Sequence, residues 1–543
     1  MMGQMMEQGL LISTLLKHAE NCHADTEIVS RIVEPAEGEA RFHRTNWGEV
    51  AVRCRKLANA LKRLGVGDSD RVGTLAWNGY RHLELYYAIS GSGAVIHTIN
   101  PRLFPEQIAW IINHAEDRVL CFDINLAPLV EKLVPLCPTV KTWVALTDAA
   151  NKPKQAIANL VCYEDLLAAE NDRFEWPELD ERQAACLCYT SGTTGNPKGA
   201  LYSHRSTLLH TYASSLPDVM NTSARDVVLP IVPMFHVNAW GIPYSAALVG
   251  YKLVMPGAAL DGASLCEMFV NEGVTFSAGV PTVWLGMLSY VREHGVKLPA
   301  FKRAIVGGSA CPPSLQQAFK KELGVSLQPG WGMTEMSPLG AVNALKKKHL
   351  ELSDEPRGTL ELKAGRLVFG VEAKIVDGDG KELPRDGVAF GDLLVRGPWV
   401  IKDYYRSDKS PLVDGWFPTG DVATLDADGF IGITDRSKDV IKSGGEWISS
   451  IDLENIAMSH PAIAEAAVIG IAHPKWDERP LLVAVRRPGA EVSGKELIAH
   501  YEGRIAKWWT PDDVAFVDEL PHTATGKVQK LKLREQFKEH QLP

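Results

Sequence analysis

No uninterrupted apolar run in this 543-residue chain approaches the length needed to cross a membrane. The opening, MMGQMMEQGLLISTLL, lacks a basic start and a small-residue cleavage site, so it makes a poor signal peptide and leaves surface attachment open. Positive charge is not in excess: the net charge is -9, which disfavours a broad nucleic-acid footprint. Paired cysteines are lacking too. The nine cysteines are scattered, and Cys186 and Cys188 are separated by one residue, neither a redox CxxC nor a zinc spacing. Reduced cysteines in a cytoplasmic protein fit that pattern. There is no internal repeat and no low-complexity segment. The common nucleotide loop ending Gly-Lys-Ser/Thr is also missing, which weakens the kinase and GTPase classes.

What is present is ordinary globular chemistry, 45% hydrophobic and 23% charged, in a chain too long for one core. Residues 45–64 place Val50, Cys54, Leu57, Ala58, Leu61 and Leu64 at helical spacing, with Gly65 as a stop. Short apolar strands are expected at 71–77, 94–99 and 119–123, and a helix at 82–89. This alternation argues for a layered α/β domain. From Lys346 to Lys363 the chain reads as polar and irregular, with Lys346-Lys347-Lys348 as a solvated face. Beyond Asp439 about a hundred residues read as a small α+β domain, with strands at 466–471 and 481–485 and a helix from Gly494 to Lys507.

The densest chemistry lies at Tyr189–Gly199, YTSGTTGNPKG, with three glycines, three threonines, one serine and one lysine. Small residues free backbone N–H groups to face an anion, hydroxyls add donors, and Lys198 adds charge. By itself such a stretch is equally a polar turn. His236 and Trp240, among apolar neighbours, read by default as core. In Gly307-Gly308-Ser309-Ala310-Cys311-Pro312, a strand runs into glycines that would let backbone approach a flat ligand, or simply form a tight turn. Gly330-Trp331-Gly332-Met333-Thr334-Glu335 sets a carboxylate where a phosphate would repel it, unless a divalent cation lies between. Asp421, in WFPTGD, could accept from ribose hydroxyls or be turn chemistry.

Taken in order, YTSGTTGNPKG, GGSACP, GWGMTE, WFPTGD, DRSKDVIKSGGEWIS and TATGK resemble the adenylate-forming enzymes: acyl-CoA synthetases, luciferases and peptide-synthetase adenylation domains. The resemblance implies an α/β fold with a large, multi-subdomain layered N-terminal domain (1–436), a hinge (437–438, with Lys438 at the pivot) and a small α+β C-terminal lid (439–543). It implies joining a carboxylic acid to the α-phosphate of ATP, releasing pyrophosphate, then attack by the CoA thiol, releasing AMP. Thr190, Ser191, Gly192, Thr193, Thr194, Gly195 and Lys198 would hold the phosphates. Glu335, assisted by Thr194, would anchor Mg²⁺. Gly308, Ser309, Ala310, Gly330, Trp331, Gly332 and Met333 would border the nucleotide, with Thr334 on the AMP phosphate and Asp421 and Arg436 on the ribose. Lys527 would be the catalytic lysine on the moving lid. Lys442, Ser443, Gly444, Gly445, Glu446 and Trp447 would face CoA. Glu478 and Lys530 are weaker lid candidates whose plain reading is solvated charge. A homodimer is expected by analogy; no nucleic acid or integral membrane segment is.

Amino-acid adenylation domains carry an Asp after the aromatic at this point, whereas Phe235 is followed by His236-Val237-Asn238. His236 resembles the gate residue of acyl- and aryl-CoA ligases. Val237, Trp240, Val280, Trp331, Pro338 and Leu339 would wall the acyl pocket, and two indoles would shorten it. GQMM, NPRLFPEQIAW, MFHVNAWG and KSGGEWIS resemble both bacterial medium-chain fatty acyl-CoA ligases and 3-methylmercaptopropionyl-CoA ligases. A thioether packs like a methylene, so one enzyme could take both acids. A luciferase-like monooxygenase and a non-catalytic nucleotide-binding interaction protein are the alternatives; intact Lys198, Glu335, Asp421 and Lys527 argue against the second. One departure is the segment Gly365-Arg366-Leu367-Val368-Phe369-Gly370, where relatives often carry Pro after Arg; it puts local loop geometry in doubt.

Overall fold

Parallel strands covered on both faces are apolar throughout, and Val119–Phe122, with four buried residues, is of that kind. A computed structural model describes residues 1–35, 37–190, 196–443, 446–522 and 528–542, and of these the side chains at 39, 446 and 447 stay outside the description. Val119–Phe122 belongs to a seven-stranded sheet in the order Leu160–Cys162, Thr142–Ala145, Val119–Phe122, Arg71–Leu75, Val95–Thr98, Ala184–Tyr189, Gly199–Ser203. All neighbours are parallel except the last two strands, which form an antiparallel pair. The helix Trp47–Arg63 is capped by the Asn46 side chain, which accepts from Glu49 N at 2.9 Å.

A second sheet of thirteen strands changes character along its length. Glu27–Arg31, Lys252–Met255, Val227–Pro230, Phe276–Gly279, Arg303–Val306 and Ser326–Gly332 run parallel. From Leu339–Val342 onward through Gly365–Leu367, Phe430–Arg436, Phe417–Leu425, Phe390–Arg396 and Glu372–Val376 it is antiparallel. Where relatives often carry proline, Leu367 closes a regular strand, with Ala341 opposite Leu367 and Gly365 opposite Ile431, and 369–370 form a turn beyond it.

The C-terminal region builds its own five-stranded sheet around Ile463–His473 and Asp477–Arg486, joined by Ile441–Ser443, Glu446–Ile448 and Asp513–Phe516. The helix Ser450–Met458 contributes to the cluster of Ile441, Leu453, Ile463 and Tyr501, while Leu533 of Lys530–Gln536 joins Ile469, Leu481 and Leu520 in another. No helix among the described residues is long and apolar enough to cross a membrane.

Three local expectations change. The helix expected from Gly494 to Lys507 ends at Ala499, and Lys507–Trp509 is a separate 3₁₀ turn. The segment 346–363 holds two short helices, Lys347–Leu350 and Asp354–Glu361. The lysine run is not simply solvated: Lys346 and Lys348 reach Asp428 at 2.8 and 2.6 Å, and His349 reaches it at 3.0 Å. Three donors on one carboxylate hold Asp428 well below its usual range.

Candidate active site

The strand Ala184–Tyr189 carries the chain to the glycine- and threonine-rich stretch, and Gly199–Ser203 returns it, with Tyr189 opposite Gly199. At the neck, Thr190 N donates to Lys198 O at 2.9 Å and Lys198 N donates to Thr190 Oγ1 at 3.1 Å. Ser191, Gly192, Thr193, Thr194 and Gly195 lie outside the described residues. The Lys198 ammonium lies 4.8 Å from the centre of the Tyr404 ring, and the Tyr404 hydroxyl donates to Glu335 Oε1 at 2.8 Å. Burial pushes the Tyr404 phenol up, so it remains a donor. One tyrosine therefore links the lysine of one motif to the carboxylate of another.

Glu335 sits in the 3₁₀ turn Thr334–Met336 and is 7% exposed. Its carbonyl accepts from Ile401 N at 2.9 Å, and the Thr334 carbonyl accepts from the Tyr202 hydroxyl. A desolvated carboxylate tethered through one oxygen suits a hard divalent cation.

The strands Arg303–Val306 and Ser326–Gly332 lie side by side, which brings Gly307 to Gly330. A Cβ on Gly307 would lie 2.8 Å from Trp240 Cη2 and 3.0 Å from Gly330 O, so glycine lets the indole lie against backbone. Val280 stands beside it, 3.2 Å from where a Cβ on Gly308 would be. Gly308, Ser309 and Ala310 are exposed at this edge. Any Cβ on Gly332 would overlap Pro338 O, which accepts from Met333 N at 3.1 Å. Leu339 N donates to His210 Nε2 at 3.4 Å and Leu339 O accepts from Trp399 Nε1 at 2.8 Å. Burial lowers the His210 pKa to about 3, keeping the ring a neutral acceptor.

Asp421 is 3% exposed and faces Arg436 across the strands Phe417–Leu425 and Phe430–Arg436. Arg436 Nε meets its Oδ1 at 2.9 Å, and Trp331 Nε1 donates to Oδ2 at 2.9 Å. Trp331 also lies over Gly340. It thus joins the ribose-side candidates directly.

Half-buried His236 precedes an unusual turn. Val237, Asn238, Ala239 and Trp240 take φ of 47°, 50°, 47° and 57°, followed by Gly241 at 81°. Each L-residue in this left-handed region costs about 1–2 kcal/mol. Tertiary contacts must outweigh that, and side-chain pattern did not announce it.

On the C-terminal side, Asp435 caps the helix Ser450–Met458, its Oδ2 accepting from Ser450 N at 2.7 Å. Ser449 Oγ donates to Thr434 O at 2.7 Å. Lys438 is exposed on the turn between these elements, where Asp439 N and Val440 N both donate to Arg436 O. Lys442 is exposed and Ser443 buried; Gly444, Gly445 and the side chains of Glu446 and Trp447 lie outside the described residues, as does Lys527. The solvated reading of Lys530 is corrected, whereas Glu478 is half-exposed with one bond to backbone. Glu478 Oε2 accepts from Lys442 N at 3.0 Å, and Lys530 Nζ meets Glu454 Oε1 at 2.6 Å and bonds the Ser450 hydroxyl. Burial alone would lower the Lys530 pKa, but Glu454 and Asp435 outweigh it and raise it.

Tyr404, Tyr202 and His210 bond directly to candidate residues, and Asn238 lies between two of them in sequence, yet none of the four was expected from sequence. Tyr404 lies in Lys402-Asp403-Tyr404-Tyr405-Arg406, which has no periodicity or motif to single it out. Asn238 lies in MFHVNAWG, two residues from both His236 and Trp240, and nothing in the local pattern sets it apart.

Residues 16–405 match the family described as AMP-binding enzyme, and residues 452–527 match the AMP-binding enzyme C-terminal domain. The chain is 54% identical to a 3-methylmercaptopropionyl-CoA ligase of Ruegeria lacuscaerulensis, over 99% of each chain. It is 51% identical to a medium-chain-fatty-acid–CoA ligase of Ectopseudomonas oleovorans, over 99% of this chain and 98% of that one. Among solved structures, an anthranilate CoA ligase in complex with anthranoyl-AMP superposes with a TM-score of 0.85 at 25% identity, covering 98% of both chains.

Proposed function

The chain belongs to the AMP-binding enzyme family and is an AMP-forming acyl-CoA ligase using ATP and CoA, and we propose that its acid is a short to medium, apolar, unbranched one. A medium-chain fatty acid and 3-methylmercaptopropionate are the two candidates. The observation that carries this reading is Trp240 laid over Gly307 beside Val280. An indole there would narrow an apolar acid pocket without adding a charged partner for a polar acid.

The residue roles proposed are those the family resemblance implies, and the contacts of Lys198, Glu335, Asp421 and Trp331 support them. The Thr190–Lys198 neck would grip the leaving pyrophosphate, with Lys198 set over Tyr404. Glu335, aided by Thr194, would hold Mg²⁺, which supplies neutralisation of triphosphate charge when bound. Asp421 would accept from the ribose hydroxyls, oriented by Trp331 and Arg436. His236 and Trp240 would bound the acid. The carboxylate oxygen attacks the α-phosphorus, the bond to the bridging oxygen breaks, and pyrophosphate leaves. The CoA sulfur, losing its proton, then attacks the acyl carbon and AMP departs. Lys527 would stand between carboxylate and α-phosphate in the first step only.

The boundaries proposed are 1–436, a hinge at 437–438 about Lys438, and 439–543 as the lid. Lys442 and the segment to Trp447 would face CoA in the second step. Nine free cysteines support a reducing, cytoplasmic setting, and a homodimer is the proposed assembly. The test is AMP formation over straight acids from acetate to decanoate, with 3-methylmercaptopropionate and an aryl acid. The highest kcat/KM is expected among the short to medium straight acids or the thioether acid; preference for the aryl acid rejects the reading.

A further inference from the structure

Of the four non-glycine residues in the left-handed turn, Asn238 is the type that tolerates this backbone, whereas Val237, Ala239 and Trp240 are not. Asn238 is 3% exposed, and three donors converge on its Oδ1. Cys186 Sγ lies at 3.1 Å, Cys188 Sγ at 3.4 Å and the Tyr86 hydroxyl at 3.3 Å. The Tyr86 proton is shared with the Met234 carbonyl, just ahead of the turn. The two thiols stand 3.8 Å apart, two residues apart on one face of Ala184–Tyr189. Burial pushes the Cys186 thiol up, so it is a protonated donor at neutral pH.

That strand runs straight into Thr190 and the phosphate-side neck. The turn it grips presents His236 at one end and Trp240 at the other. An ordinary right-handed turn here would carry the Trp240 indole off Gly307, where it now lies against backbone. The phosphate-side residues would keep their own hydrogen bonds.

We propose that Asn238 is the positioning residue of the acid pocket: held by Cys186, Cys188 and Tyr86, it keeps the turn left-handed and so keeps Trp240 over Gly307. This rests on the acid-pocket reading given above. It also explains the odd Cys-x-Cys spacing, which serves two donors to one oxygen rather than a metal or a disulfide.

The test measures affinity for octanoyl-sulfamoyladenosine and for sulfamoyladenosine without the acyl chain, in wild type and Asn238→Gly. Glycine leaves the left-handed backbone accessible and removes only the anchor. The wild type is expected to bind the acylated compound at least about tenfold more tightly. N238G is expected to lose most of that increment while holding the bare compound within about twofold. A full increment in N238G overturns the proposal. A parallel loss for both compounds makes Asn238 merely structural and overturns it as well. A wild type that binds both equally overturns the acid-pocket reading and the proposal with it, a result distinct from the other two. Should N238G fail to fold, Cys186→Ala/Cys188→Ala, which keeps Asn238 but removes its thiol donors, is read by the same criteria.

Discussion

The Trp331 indole donates to Asp421 Oδ2 at 2.9 Å, across ninety residues of sequence, while Arg436 holds the other oxygen. A carboxylate fixed at both oxygens cannot swing, so its remaining lone pairs are aimed. Hydrogen bonds to charged groups are worth about 1.5–3 kcal/mol. Trp331→Phe keeps an aromatic ring, though a smaller one, and drops the donor. KM for ATP is expected to rise about tenfold, more than KM for the acid, whose pocket the same indole would also wall. A rise confined to the acid would place Trp331 on the acyl side alone.

Tyr404 is the bridge between Lys198 and Glu335. Tyr404→Phe leaves Glu335 Oε1 without its tether. The Mg²⁺ concentration giving half-maximal adenylation is expected to rise about three- to tenfold. A metal titration of pyrophosphate release checks this, and an unchanged midpoint with lower kcat counts against it.

Lys530 and Glu454 form an ion pair with side chains only 12% and 18% exposed. Lys530→Ala strands the carboxylate and is expected to destabilise the C-terminal region by about 3–5 kcal/mol. Lys530→Met with Glu454→Leu removes both charges and should recover most of the loss. Urea unfolding of the three proteins decides; equal losses for the single and double variants would falsify the ion-pair account.

The Lys527→Ala variant should separate the two half-reactions. Adenylation is expected to fall about a hundredfold or more, while thioester formation from supplied acyl-adenylate stays within about threefold. Equal loss of both steps contradicts a lysine used only in the first.

Burial lowers His82 and His204 to about 4 and His210 to about 3, against 6.5 for an exposed ring. Between those values the unfolded chain binds more protons than the folded one, so stability rises with pH. It is fully present above pH 6.5 and is lost as pH falls toward 4, by about 1.4 kcal/mol per unit for each titrating ring. Unfolding midpoints at pH 7 and pH 5 should differ accordingly. His210→Gln, which keeps an acceptor toward Leu339 N, should flatten the slope.

Much of the fold was legible because burial leaves a periodic trace. Residues 45–64 and the strand at 119–122 show it in two forms, one of helical spacing and one unbroken apolar run. The motifs were legible because glycines and hydroxyls must sit next to one another in sequence to shape a loop. The helix expected to Lys507 ends at Ala499, and Gly503, at φ of 72° inside the expected span, is the residue type that stops a helix. Lys530 was misread because a lysine looks solvated until a particular glutamate lies opposite it.

By itself the sequence determined the alternating architecture and the adenylate-forming chemistry, and it supplied the charged groups proposed to serve it. These depend on local spacing and on residue type. Only the tertiary structure decided which groups meet: Trp331 with Asp421, Tyr404 between Lys198 and Glu335, Asn238 with two thiols. It also decided the hand of the turn at Val237–Trp240, against the preference of three of its four residues. The physical reason is common to all of these. Polar contacts between distant segments, and backbone held against its own preference, are set by strand order and packing, which no local pattern encodes.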